Sequence, residues 1–149
     1  MTVLHGERIL LGVTGGIAAY KSAELVRRLK QAGADVRVVM TQSAEQFITA
    51  TTLQALSGNP VRTSLWDESA EAAMSHIELA RWASKLVIAP ASADFMARLA
   101  GGHGNDLLST LCLATTAQVY IAPAMNHAMW ANAATVENTE RLVQRGFRL

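Results

Sequence analysis

Three places in this sequence combine residue types and spacings that could do chemistry: a glycine pair after an apolar run, a histidine opening a helix, and two Ala-Pro strand ends with polar side chains behind them. The glycine pair lies in GVTGGIAAYK, Gly12 to Lys21. A dinucleotide fingerprint needs G-x-G-x-x-G after a strand and a carboxylate about 20 residues on, at the end of the second strand. Gly12, Gly15 and Gly16 have another spacing, and the second apolar run ends in VVMTQSA, with Thr41 and Ser43 where the carboxylate should be. Asp35 stands at the start of that run, the wrong edge for a ribose. Hydroxyls and helix-start N–H groups suit a phosphate, with Ser43 read as the cap of S-A-E-Q, so a mononucleotide is the better candidate. The structural alternative is that Gly15 and Gly16 permit positive φ and Ser43 only caps.

In AMSHIELARWA, the pair Ser75 and Glu78 reads as a capping box, which makes His76 the first residue of its helix. The positive end of the helix dipole disfavours imidazolium, so a neutral base is available there near neutral pH. The alternative is a half-exposed histidine tolerated at a helix start. PASAD, Pro90 to Asp94, and PAMNHAMW, Pro123 to Trp130, each end an apolar run at a proline, where the missing N–H stops the ladder and the chain must turn. Ser92 then offers a hydroxyl and Asn126 an amide, which could donate to a substrate carboxylate or serve only as an N-cap. Met125 and Met129 read as pocket wall or core. His5, His103 and His127 have no Cys or carboxylate partners at metal-ligand spacing, so no metal is expected. The single cysteine, Cys112, lies among apolar neighbours in LLSTLCLAT and reads as a buried, inert thiol.

The elements that must position these residues alternate in type. Strands are expected at Arg8–Val13, Ala34–Met40, Lys85–Pro90 and Gln118–Pro123, all continuous apolar runs of the kind buried on both faces. Between them lie helical spacing from Ile17 to Gly33, a short helical pair in SAEQFIT and TTLQALS, and helices in SHIELARWA, SADFMARLAGG and NDLLSTLCLAT. Residues 62–72 have no period and read as loop. VENTERLVQRGFRL repeats the helix, glycine, strand layout of Glu24 to Met40 and begins a strand that the remaining residues cannot finish, so a continuation is expected. The alternation implies an α/β fold, a three-layer α/β/α sandwich around a Rossmann-like or flavodoxin-like parallel sheet. Ligands in such sheets bind beyond the carboxyl ends of the strands, which selects the TGG, TQS, PASAD and PAMN loops.

Bulk properties narrow the field. The 149 residues, half of them hydrophobic, fit one domain with an ample core. Thirteen Lys plus Arg against twelve Asp plus Glu leave a charge of +1 with no basic run, which argues against nucleic acid or an anionic membrane surface as partner. No apolar stretch reaches the roughly 18 residues of a spanning helix, and MTVLHGER lacks a signal layout, so a cytoplasmic protein is expected.

Through GGIAAYK, the His76 of SHIEL, the PASAD strand end, AGGHGNDLLSTLCLAT and above all PAMNHAMW, the chain resembles the flavin-dependent cysteine decarboxylases from Glu7 onward. The likeness is to the phosphopantothenoylcysteine decarboxylase domain at the N-terminus of the bifunctional bacterial coenzyme A biosynthesis enzyme. The resemblance implies FMN as cofactor, held among Gly15, Gly16, Ser43, Ser92, Ala93 and Ala124, with its ring system between subunits of a homo-trimer and four trimers forming a dodecamer. It implies decarboxylation of 4′-phospho-N-pantothenoylcysteine to 4′-phosphopantetheine through flavin oxidation of the thiol to a thioaldehyde. His76 would be the base, and Asn126, with Met125 beside it, would hold the carboxylate.

Two departures from the family stand out. Asp94 and Phe95 replace the Asn-Thr of related eukaryotic members, so no flavin contact is carried over to Asp94. The family's proton-donating cysteine lies in a flap beyond the last strand, where this chain has no counterpart; a chain truly lacking it is expected to stall at the enethiol. A phosphopantothenoylcysteine synthetase domain, as fusion or partner, is the remaining expectation. The alternatives are a peptidyl-cysteine decarboxylase of the lantibiotic type, the related flavin prenyltransferase, and a non-catalytic flavin-binding regulatory subunit.

Overall fold

The structure is a computed structural model and describes residues 3–149. Four strands, β1 (Arg8–Val13), β2 (Asp35–Met40), β3 (Lys85–Ala91) and β4 (Gln118–Pro123), form one parallel sheet in the order β2-β1-β3-β4. The helices are α1 (Ser22–Gln31), α2 (Ala50–Ser57), α3 (Glu68–Ala73), α4 (His76–Trp82), α5 (Ala93–Ala100), α6 (Leu107–Ala114), α7 (His127–Ala131) and α8 (Ala133–Gln144). Short 3-10 turns at Ile17–Lys21 and Ser43–Gln46 follow β1 and β2.

Because side chains alternate across a strand, the apolar runs divide into two cores, one per face. Ile9, Leu11 and Val13 of β1 join Val36, Val38 and Met40 of β2 against Val26 and Leu53. Leu10, Val39, Leu86 and Ile88 face the other way, onto Leu79, Phe95, Leu108 and Leu142. Fully burying one such side chain is worth about 1.5–3 kcal/mol, so both faces drive the same layered arrangement expected from the alternation. The chain leaves β1 toward β2 and returns to β3 on its other side. The carboxyl ends of β1 and β3 therefore form the topological switch point, where open α/β sheets have their ligand crevice.

Three local expectations need correcting. The stretch read as loop, residues 62–72, holds structure at both ends: Arg62 pairs with Val39 alongside β2, and α3 starts behind the Asp67 cap, whose carboxylate accepts the Ala70 N–H at 3.0 Å. A six-residue helix with no buried side chain leaves no apolar period to read. Strand β3 does not stop at Pro90 but runs through it to Ala91, with a cis Ala89–Pro90 bond and a register shift against β4 between Ile88 and Ala91. Such an irregularity is how a strand accommodates a residue without an N–H. Ser43 caps nothing: Gln42 is the cap residue of that turn, and it is the Thr41 hydroxyl that accepts the Ala44 N–H. The final strand passage is present in outline, since Arg148 bridges Tyr120 at the free edge of β4.

Candidate active site

Beyond the switch point lies a cleft of about 500 Å³ lined by Thr14, Gly15, Gly16, Thr41, Gln42, Ser43, Phe47, Ser92, Ala93, Asp94, Phe95, Arg98, Asp106 and Met129. Its floor is stitched by Thr14, which is 1% exposed. The Thr14 hydroxyl donates to the Pro90 carbonyl at 2.7 Å and accepts the Ser92 N–H at 2.9 Å, so it ties the end of β1 to the end of β3. Nothing in the sequence distinguishes this threonine from any other turn residue, because its two partners lie 76 and 78 positions away.

The glycines serve two different needs. A Cβ on Gly15 would lie 2.4 Å from Ser43 Cβ, so only a glycine lets the first and second strand ends approach this closely. Gly16 has open space around its missing Cβ but a φ of 156°, which L side chains rarely adopt. Around the cleft, the backbone N–H groups of Gly15, Gly16, Ser43 and Ala93 meet no acceptor among the described residues, and neither does the Ser43 hydroxyl. The Ser92 hydroxyl accepts the Phe95 N–H at 3.1 Å as the cap of α5 and keeps its own proton to donate. Unpaired N–H groups beside hydroxyls make an anion cradle, and Arg98 adds a positive charge only loosely paired with Asp94, at 3.8 Å. This donor set, with Phe47 and Met129 as apolar wall, fits a mononucleotide phosphate and its sugar-like chain.

The other expected residues lie apart from this cleft. Ala124 and Met125 line a second hollow of about 360 Å³ with Pro123, Trp130 and Leu149. Asn126 is the cap of α7, its Oδ1 accepting the Met129 N–H at 2.9 Å; its Nδ2 has no partner among the described residues and remains a donor. His76 opens α4 behind the capping box expected from Ser75 and Glu78. It lines neither hollow. The sequence reading of His76 rested on the helix end alone, whereas the structure adds a carboxylate: Glu71 Oε1 lies 2.5 Å from His76 Nδ1 and also accepts the His76 backbone N–H at 3.1 Å. Partial burial by itself would raise the Glu71 carboxyl, but hydrogen bonds from the His76 N–H, the Arg62 guanidinium and the His76 ring outweigh it and hold it at about 2. Cys112 is pushed up to about 12 by burial and by the nearby Asp106, which leaves it no thiolate chemistry.

A family model described as Flavoprotein matches residues 2–149. The chain belongs to the flavoprotein family. This flavoprotein is 60% identical over 147 residues to the coenzyme A biosynthesis bifunctional protein CoaBC of Vibrio cholerae, an alignment covering 99% of the chain and 37% of that relative. It thus spans a little over a third of the relative's length. Among solved structures it is similar to the FMN-dependent cysteine decarboxylase SpaF, with a TM-score of 0.90 and 32% identity over 97% of this chain and 83% of that one. It is also similar to a mutant PPC decarboxylase complexed with pantothenoylaminoethenethiol, with a TM-score of 0.83 and 34% identity over 96% and 80% of the two chains. Both likenesses place this flavoprotein with the cysteine decarboxylases.

Proposed function

We propose that this flavoprotein binds FMN and decarboxylates 4′-phospho-N-pantothenoylcysteine to 4′-phosphopantetheine for coenzyme A synthesis, as a carboxy-lyase. The observation that carries the reading is the cradle of unpaired N–H groups at Gly15, Gly16, Ser43 and Ala93, set at the switch point of a sheet shared with FMN-dependent relatives. In this reading Gly15, Gly16, Ser43, Ser92 and Ala93 hold the cofactor's phosphate and chain, and Ala124 borders its ring. FMN, when bound, would supply the two-electron oxidation of the cysteinyl thiol that lets its carboxylate leave as CO2, and would return the same two electrons to give the thiol product. His76 accepts the substrate proton at Nε2. Asn126 Nδ2 donates to the departing carboxylate, with Met125 beside it as wall.

Because His76 and Asn126 stand outside the cleft of a single copy, the reading includes a homo-oligomer in which copies complete one another's sites. The trimer, and the dodecamer built from it, follow the family resemblance. Exposed Ile17 and Tyr20, next to the glycine turn, supply apolar surface for such contacts. A synthetase domain accompanies the decarboxylase in the proposal, as the CoaBC likeness suggests. Among the described residues no helix is long and apolar enough to cross a membrane, and no cluster of three or more His, Cys, Asp or Glu could hold a metal ion.

A second reading, a peptidyl-cysteine decarboxylase, draws support from the likeness to the peptidyl-cysteine decarboxylase EpiD, with a TM-score of 0.84 and 25% identity. The experiment for both is CO2 release by the FMN-loaded protein. Turnover of 4′-phospho-N-pantothenoylcysteine but not of a peptide ending in cysteine is expected, and the opposite preference selects the second reading. A yellow protein that releases CO2 from neither would be a flavin-binding subunit without turnover.

A further inference from the structure

Arg62 is 7% exposed, far more buried than an arginine usually is, and its backbone is built into the sheet edge. Its N–H donates to the Val38 carbonyl at 3.0 Å, and its carbonyl accepts the Met40 N–H at 2.9 Å. From that fixed base the guanidinium reaches in two directions, to the Met74 carbonyl at 2.8 Å and to Glu71 Oε2 at 2.7 Å. A structural ion pair would need no more than this. Yet the second oxygen of Glu71 is spent entirely on His76, on its ring nitrogen and on its backbone N–H. The three residues come from three separate elements: the β2 edge, α3 and the start of α4. The ring is therefore held by tertiary structure and not by its own helix.

We propose that Arg62 and Glu71 are positioning residues that hold the His76 ring with Nδ1–H bound and Nε2 bare, ready to take a proton; this rests on His76 being the base. An ionised carboxylate accepts hydrogen bonds and donates none, so the nitrogen facing it must carry the proton. In the neutral imidazole the other nitrogen is then the acceptor. Nε2 makes no hydrogen bond among the described residues, which leaves its lone pair available, and 30% of the side chain is exposed. Arg62 holds Glu71 by its other oxygen, which prevents the carboxylate from rotating away.

The test combines a spectroscopic readout with a kinetic one. Long-range proton–nitrogen spectra of the nitrogen-labelled protein, with and without FMN, are expected to show neutral His76 protonated at Nδ1. Glu71→Gln turns one of the two accepting oxygens into an NH2 group, so it cannot serve both Arg62 and His76. It is expected to lose the Nδ1–H preference and to slow single-turnover CO2 release from 4′-phospho-N-pantothenoylcysteine on the order of 10²-fold, within the usual contribution of a general base. Half-saturation by substrate should stay within about twofold, and Glu71→Asp should restore part of the rate. A wild-type ring protonated at Nε2 overturns the proposal without any variant. So does a Glu71→Gln protein that keeps both tautomer and rate. His76→Ala with unchanged CO2 release would instead overturn the assignment of the base, and the proposal with it.

Discussion

The missing Cβ of Gly15 would sit 2.4 Å from Ser43 Cβ, with the Ser43 carbonyl carbon at 3.2 Å, so the two loops that form the proposed phosphate cradle touch through that glycine. Any side chain at position 15 must push the Ser43–Gln46 turn away from β1. Gly15→Val is therefore expected to strip FMN and to destabilise the fold by about 1–3 kcal/mol, the usual cost of overpacking. Gly16→Ala is expected to act through φ alone, with a smaller loss of FMN. Flavin absorbance after gel filtration, read beside a thermal melt of each variant, checks both. A Gly15→Val protein that remains fully yellow would overturn the placement of the phosphate there.

The Thr14 hydroxyl makes two buried hydrogen bonds, one to each side of the β3 end. Thr14→Val keeps the shape but leaves the Ser92 N–H unpaired and the Pro90 carbonyl with only the backbone N–H of residue 14, at 3.3 Å, a loss of about 1–3 kcal/mol. Thr14→Ser keeps the hydroxyl and should stay within about 1 kcal/mol of wild type, losing chiefly a methyl group. Denaturant unfolding of the two variants separates these outcomes.

Asn126 offers a cleaner division between folding and function. Its Oδ1 caps α7 through Met129, and its Nδ2 is the proposed carboxylate donor. Asp at this position caps equally well but donates nothing and adds a negative charge. Asn126→Asp is expected to melt within about 1 kcal/mol of wild type while CO2 release falls by at least about 10²-fold, the loss of a charge-assisted bond made worse by repulsion. Retained turnover in this variant would remove Asn126 from the site.

Stability in acid should report on Glu71. Its carboxyl is held at about 2 in the fold against an ordinary 4.5, so the unfolded chain takes up a proton first as the pH drops. The stabilisation is complete above about 4.5 and drains away as pH falls toward about 2. Chemical denaturation of wild type and Glu71→Gln across that window is expected to show the gap between them narrowing with acid. A gap of constant size would mean that the Glu71 charge adds nothing to the fold.

The four strands, their parallel arrangement and the loops at their carboxyl ends were legible in the sequence because each rests on a local cue: continuous apolar runs, helical spacing between them, and glycine or proline where the chain must turn. The Ser75–Glu78 capping box was legible for the same reason, since both partners lie within one turn. Residues 62–72 were not, because α3 buries no side chain and Arg62 joins the sheet edge as a single pair, too short for any period.

By itself the sequence determined the layered α/β fold, the glycine turn and the positions of His76 and Asn126 at helix starts, since these depend on contacts within a few residues. Only the tertiary structure decided what surrounds them. Thr14 meets Ser92 and Gly15 meets Ser43 only once crossover connections bring separate strand ends together, and Glu71 faces both Arg62 and His76 only as α3 comes to lie beside the β2 edge and the start of α4. It also placed Ala124 and Met125 in another hollow from the cleft at Gly15 and Ser43, a separation no spacing along the chain encodes. Hydrogen bonds and close approaches between distant residues depend on the geometry of the whole sheet, and pattern in a single sequence records only the local part of that geometry.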